Sequence, residues 1–134
     1  MNQYIVAYFA TAAVFLIIDY VWLTQVVSGF YANRLGDLLL DKPNYGVAAG
    51  FYLIFIIGIV IFAVAPAFKS GSVWTALVYG ALFGFFAYAT YELTNLATLK
   101  NWPVSIVAID IIWGSVLTSI AAGAGFAISN YLGR

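Results

Sequence analysis

The chain has 134 residues, of which 65% are hydrophobic and only 7% are charged, and its formal net charge is zero. Its mean hydropathy is +1.02. This composition excludes a soluble globular domain and predicts an integral membrane protein, and the scattered basic residues give no basis for binding nucleic acid. Because a span needs about 20 residues, we expect residues 1–134 to form a single four-helix transmembrane domain.

Four apolar segments predict an all-α bundle of transmembrane helices. Asn44 can cap the start of the second helix, Pro66 can close it, and Pro103 suits the first turn of the fourth. The predicted bounds are about 4–27, 45–65, 73–94 or a turn beyond, and 104–131. An even number of spans places both chain termini on one side of the membrane.

The connection between the first two predicted helices is amphipathic and covers residues 29–41. It is predicted to lie along the membrane interface. Apolar side chains, Tyr31 among them, are expected to dip into lipid, while the side chains of Arg34, Asp37 and Asp41 remain exposed to water. The segment then serves either as a lid over a site, with Arg34 or Lys100 as a counter-charge, or as a linker that rests on the membrane.

Small residues recur at four-residue spacing, which is typical of helices in close contact. The two interpretations are tight packing within the bundle and a homodimer seam. The residues are Gly46 and Gly50, then Ala76, Gly80 and Gly84, then Ser115, Ser119 and Gly123.

Three acidic residues occur within apolar runs. The motif Asp-x-x-Trp begins at Asp19 and again at Asp110. Since successive spans run in opposite directions, Asp19, Glu92 and Asp110 are predicted to share one membrane half and to face the bundle interior. A charge at such depth costs roughly 2.5–3.5 kcal/mol, and the predicted spans contain no Lys or Arg, so these acids are candidates to carry a proton. The alternative is that they are structural acids that hydrogen-bond across helix interfaces.

Aromatic and polar side chains accompany these acids. Trp22 and Trp113 lie one helical step from Asp19 and Asp110, where an indole can face a cation, pack on an apolar ligand or donate its N–H. Core packing is the alternative for both. The remaining candidate ligand-binding residues are Tyr88, Tyr91 and Asn95. Two further tryptophans, Trp74 and Trp102, flank spans and are predicted to be interfacial anchors.

The residue types that are missing limit the chemistry. The sequence contains no cysteine and no histidine, which excludes disulfides, thiol catalysis, His-ligated haem and ordinary zinc sites. Carboxylates, hydroxyls, amides and aromatic rings remain available. We expect no cofactor and no metal, because nothing in the spacing of the carboxylates selects a hard cation.

The chain resembles the small bacterial four-helix membrane proteins grouped as domain of unknown function 2177. The resemblance covers nearly the whole sequence and is carried by residues 15–22, 30–31, 88–99, 102–103 and 110–114. It implies a multi-pass protein of the bacterial inner (plasma) membrane, with lipid as a partner, and supplies no established activity. The short loop that contains Lys69, on a side without acidic residues, favours cytoplasmic termini.

Three functions remain open. The first is binding or transport of a small hydrophobic or cationic solute, exchanged for protons at the carboxylate and tryptophan site. The second is a lipid-modifying enzyme in which one acid donates a proton and another carboxylate accepts one. The third is a structural or assembly subunit of a membrane complex. We favour binding or transport, because four helices offer little wall for an enclosed catalytic pocket.

Overall fold

The structure, a computed structural model, describes residues 2–40 and 42–133, so the predicted position of Asp41 lies outside the described residues. Within those two ranges the regular structure is entirely helical. Four helical runs are long and apolar enough to cross a membrane, and they are Gln3–Leu38, Tyr45–Ser70, Val73–Thr98 and Val104–Leu132. The predicted all-α bundle of four transmembrane helices is confirmed.

The first run is longer than the sequence predicted. Helix α1 (Asn2–Trp22) continues into a π-helical segment (Leu23–Tyr31), a short α2 (Ala32–Leu35) and a 3-10 turn (Gly36–Leu38). Within the π-helical segment, the Ser28 hydroxyl donates to the Thr24 carbonyl oxygen at 2.6 Å, which helps to satisfy backbone acceptors as the turn widens. The predicted end of the first helix at residue 27 is therefore wrong.

The second run also continues past its predicted end. It consists of α3 (Tyr45–Ile59), a π-helical segment (Val60–Val64) and α4 (Ala65–Ser70). The Asn44 side chain accepts a hydrogen bond from the Val47 amide at 3.1 Å, as predicted for a capping residue. Pro66 lies in the first turn of α4, where its missing N–H is tolerated, so it does not close the run.

Helices α5 (Val73–Thr98) and α6 (Val104–Leu132) complete the bundle. Helix α6 is central, because it packs extensively against both α5 and α1. Close approach depends on small residues, since a Cβ atom added at Gly80 would lie 2.9 Å from the Ala122 Cβ atom. The small residues Ala76, Gly80 and Gly84 on α5 therefore pack within the bundle. By contrast, a Cβ atom added at Gly50 has no neighbour within 4 Å among the described residues.

One contact between α5 and α6 carries a polar group without a partner. The Thr118 side chain is fully buried, and its hydroxyl has no hydrogen-bond partner within the described ranges. We expect Thr118→Val to leave the free energy of unfolding unchanged or to raise it by up to about 1 kcal/mol, because an unsatisfied hydroxyl is replaced by a methyl group. Unfolding with sodium dodecyl sulfate in mixed micelles, followed by circular dichroism, measures this free energy.

Ser119→Ala is the matched control for this prediction. The Ser119 hydroxyl donates to the Leu77 carbonyl oxygen at 2.7 Å, so its removal is expected to cost about 0.6 kcal/mol, the average for such bonds in a membrane. A loss of stability in Thr118→Val as large as in Ser119→Ala would contradict the prediction.

Candidate functional site

A cavity of about 550 Å3 lies between the helices, and all four runs contribute to its walls. Most of the lining side chains are aliphatic or aromatic. The charged exceptions are Asp19, Glu92 and Asp110, which the structure brings together in this one cavity. All three are buried, with Glu92 only 1% exposed.

Asp19 on α1 is held by donors from two other runs. The Tyr52 hydroxyl on α3 donates to its Oδ2 atom at 2.5 Å. The Trp113 indole Nε1–H on α6 donates to its Oδ1 atom at 3.4 Å, a long hydrogen bond. Tyr52 was not among the predicted site residues. One tyrosine among ten in an aromatic-rich chain carries no signal of its own.

Asp110 on α6 receives its hydrogen bond from the first run. The Tyr31 hydroxyl donates to its Oδ1 atom at 3.0 Å, and the Tyr31 side chain is only 7% exposed. The prediction that Tyr31 dips into lipid is therefore wrong. Tyr31 ends the π-helical segment, whose wider turns change the direction in which a side chain points relative to an α-helix.

Glu92 near the end of α5 is bonded to the turn that follows this helix. The Trp102 indole Nε1–H donates to its Oε1 atom at 2.9 Å, and Trp102 lines the cavity. Trp102 is predicted to be an interfacial anchor, and in the structure its indole turns back toward this buried acceptor. Trp74 is 71% exposed, as an interfacial anchor requires. The Asp110 carboxyl is a close neighbour of Glu92.

The two indoles of the repeated motif contact each other. The rings of Trp22 and Trp113 stack with centroids 4.1 Å apart and an interplanar angle of 6°. Both indoles line the cavity, and the rings of Trp22 and Tyr31 are nearly perpendicular, with centroids 5.9 Å apart. The pair therefore joins α1 to α6 at the wall of the acidic cavity.

The other predicted binding residues are divided by the structure. Tyr88 and Tyr91 line the cavity, whereas Asn95 does not and lies half-buried one turn further along α5. The Tyr88 ring packs directly on Gly114, where any added Cβ atom would clash with it. Glycine at this position thus allows Tyr88 to lie between α5 and α6.

The electrostatic character of the cavity follows from its charged residues. It has three carboxyl groups, and no Lys or Arg is found among its described lining residues. Arg34 points elsewhere: its Nε–H donates to the Ser105 hydroxyl at 3.1 Å, and its guanidinium lies 4.2 Å from the centre of the Phe30 ring. Across residues 2–40 and 42–133, no group of three or more acids is arranged to hold a metal ion. Glu92 and Asp110 are neighbours, but the three carboxyls do not converge as one group in this largely apolar wall.

A family model described as predicted membrane protein (DUF2177) matches residues 4–127. The chain therefore belongs to this family, which confirms the resemblance seen in the sequence. No curated protein and no solved structure matches the chain.

Proposed function

We propose that this member of the DUF2177 family binds a small hydrophobic organic cation in its acidic cavity and transports it in exchange for protons. The observation that carries the proposal is the composition of the cavity wall, which has three carboxyl groups and no basic side chain among its described lining residues. A positively charged solute or bound protons would balance this charge. The apolar remainder of the wall suits a hydrophobic solute.

The distribution of the carboxyls supports an organic cation over a metal ion. Each acid has its own donor from a different part of the chain, namely Tyr52, Tyr31 or Trp102. A metal ion would need the carboxylate oxygens to converge on one point. A larger cation can lie beside all three carboxylates while its apolar surface meets the Tyr88 and Trp113 rings.

The same three acids, Asp19, Glu92 and Asp110, are the candidates to carry the exchanged protons. Arrival of a cation beside them would favour release of a proton, because an intramembrane site that holds uncompensated charge is costly. We infer a location in the bacterial inner membrane with cytoplasmic termini, as the sequence favoured. A homodimer through the outward-facing Gly46 and Gly50 remains a prediction.

Tetraphenylphosphonium, a hydrophobic cation, can test the proposal. We expect it to bind the protein in lipid nanodiscs more tightly than the neutral triphenylphosphine oxide. Glu92→Gln is expected to weaken tetraphenylphosphonium binding about tenfold, which corresponds to about 1.4 kcal/mol, because one of the three cavity charges is lost. Isothermal titration calorimetry in buffers of different ionisation enthalpy reports the affinity and the protons released together.

Asp37→Asn is the matched control, since Asp37 is exposed and does not line the cavity. It is expected to leave binding unchanged. Equal binding of the neutral compound, or an affinity that is insensitive to Glu92→Gln, would contradict a cation site. That result would favour the third function, a structural or assembly subunit of a membrane complex.

A second candidate function, acid–base chemistry on a lipid, is favoured by the surroundings of Asp110. Asp110 accepts a hydrogen bond from Tyr31, has Glu92 as a neighbour and shares its cavity with stacked indoles. One carboxylic acid could protonate a lipid double bond while a second carboxylate removes a proton from the adjacent carbon, which moves the double bond without another reactant. Mass spectrometry of unsaturated phospholipids incubated with the native protein and with Asp110→Asn tests this activity.

A further inference from the structure

The stacked indoles of Trp22 and Trp113 border two cavities with different properties. They line the acidic cavity and also a second, shallow cavity of about 200 Å3 that is open to the outside, whose other lining residues are Ile109, Ile112 and Val116. The described lining of the second cavity contains no charged residue. The indole pair is therefore a boundary between a space with three carboxyl groups and a space that is apolar.

The second cavity lies on the lipid side of the bundle. Ile112 is 64% exposed and Val116 is 46% exposed, and both belong to the membrane-spanning helix α6. An exposed aliphatic side chain within a span meets acyl chains rather than water. A molecule dissolved in the bilayer can therefore reach this cavity without leaving the hydrocarbon.

We propose that the solute is a long-chain cationic amphiphile, with its head group among Asp19, Glu92 and Asp110 and its alkyl chain along Ile112 and Val116. This inference rests on the proposed function, because it names the class of cation. The two adjoining cavities match the two ends of such a molecule in charge and in polarity. A compact cation without a chain would use only the acidic cavity.

Entry of an alkyl chain across this boundary requires the indoles to separate. Ring centroids 4.1 Å apart and nearly parallel planes leave no room between the two rings. Two stacked indoles also couple their electronic transitions, and any in-plane twist between the two rings makes this coupling visible as an exciton signal in circular dichroism. The part of the signal that is lost in Trp22→Phe reports the pair.

The test compares dodecyltrimethylammonium with butyltrimethylammonium, below micellar concentration, on the full chain in phosphatidylcholine nanodiscs. We expect Val116→Trp, which fills the second cavity, to weaken binding of the dodecyl compound about tenfold and to leave the butyl compound unchanged. Val78→Trp is the matched control, because Val78 is 52% exposed on a different span and lines neither cavity. Empty nanodiscs correct for partition into lipid.

Other measurements keep the inference falsifiable if Val116→Trp does not fold. In the native protein the dodecyl compound is expected to reduce the exciton signal and the butyl compound to preserve it, and Ile112→Trp provides a second blocking variant. An equal effect of the blocking variant on both compounds, or an exciton signal that the dodecyl compound leaves intact, would overturn the long-chain proposal alone. Failure of the native protein to bind either cation would overturn the cation site as well.

Discussion

Replacing Gly84 with alanine is expected to lower the free energy of unfolding by about 2 kcal/mol or more, the range seen when a tightly packed contact is overfilled. A Cβ atom at Gly84 would meet the carbonyl oxygen of Gly114 and would lie 2.7 Å from the Thr118 Oγ1 atom. A backbone carbonyl cannot rotate away as the end of a flexible side chain can. Helices α5 and α6 therefore have to move apart.

The same substitution at Gly50 is the control. An added Cβ atom there has no described neighbour within 4 Å, so Gly50→Ala is expected to stabilise the protein by up to about 1 kcal/mol through helix propensity alone. Both variants can be measured by unfolding in mixed micelles. Equal changes in stability would show that the contact between α5 and α6 does not depend on glycine.

The effect at Gly84 is expected to extend to the site. Helix α5 carries Tyr88 and Glu92, and α6 carries Asp110 and Trp113, so separation of these helices widens the cavity that the four side chains line. Tetraphenylphosphonium binding to folded Gly84→Ala protein is therefore expected to weaken, whereas Gly50→Ala is expected to bind as the native protein does. Stability and binding are linked here through one interhelical distance.

Replacing Trp102 with phenylalanine is expected to cost about 1–3 kcal/mol of stability, because the buried carboxyl of Glu92 loses its indole donor. The native bond measures 2.9 Å, and Glu92 is only 1% exposed. Phenylalanine keeps an aromatic ring against Tyr91, whose ring lies 6.1 Å away. The loss of stability in Trp102→Phe therefore measures mainly the contribution of this hydrogen bond.

Trp74→Phe is the control for this substitution, since Trp74 is 71% exposed. Its effect is expected to stay within about 0.5 kcal/mol. A double-mutant cycle adds a second check: in a Glu92→Leu background Trp102→Phe is expected to cost much less, because no carboxyl remains to be satisfied. An undiminished cost in that background would assign the role of Trp102 to packing rather than to the hydrogen bond.

The sequence by itself determined the class of protein, and it predicted that the three acids lie together. Four apolar runs of sufficient length, with little charge, leave transmembrane helices as the only economical arrangement, and their number fixes the alternation of direction. Counting residues along these runs placed Asp19, Glu92 and Asp110 in one half of the bundle. Such a count works because all three acids lie in α-helical segments, where the rise per residue is nearly constant.

Tertiary structure alone decided which donors serve these acids. The amphipathic pattern of residues 29–41 places Tyr31 at the interface, and a position beside a span places Trp102 there. In the structure both side chains turn inward to a carboxyl group. For Tyr31 the cause is the π-helical segment Leu23–Tyr31, whose hydrogen-bond register is not encoded by hydrophobic periodicity. For Trp102 the cause is a buried acceptor ten residues earlier in the chain, Glu92, that only the folded turn brings within reach.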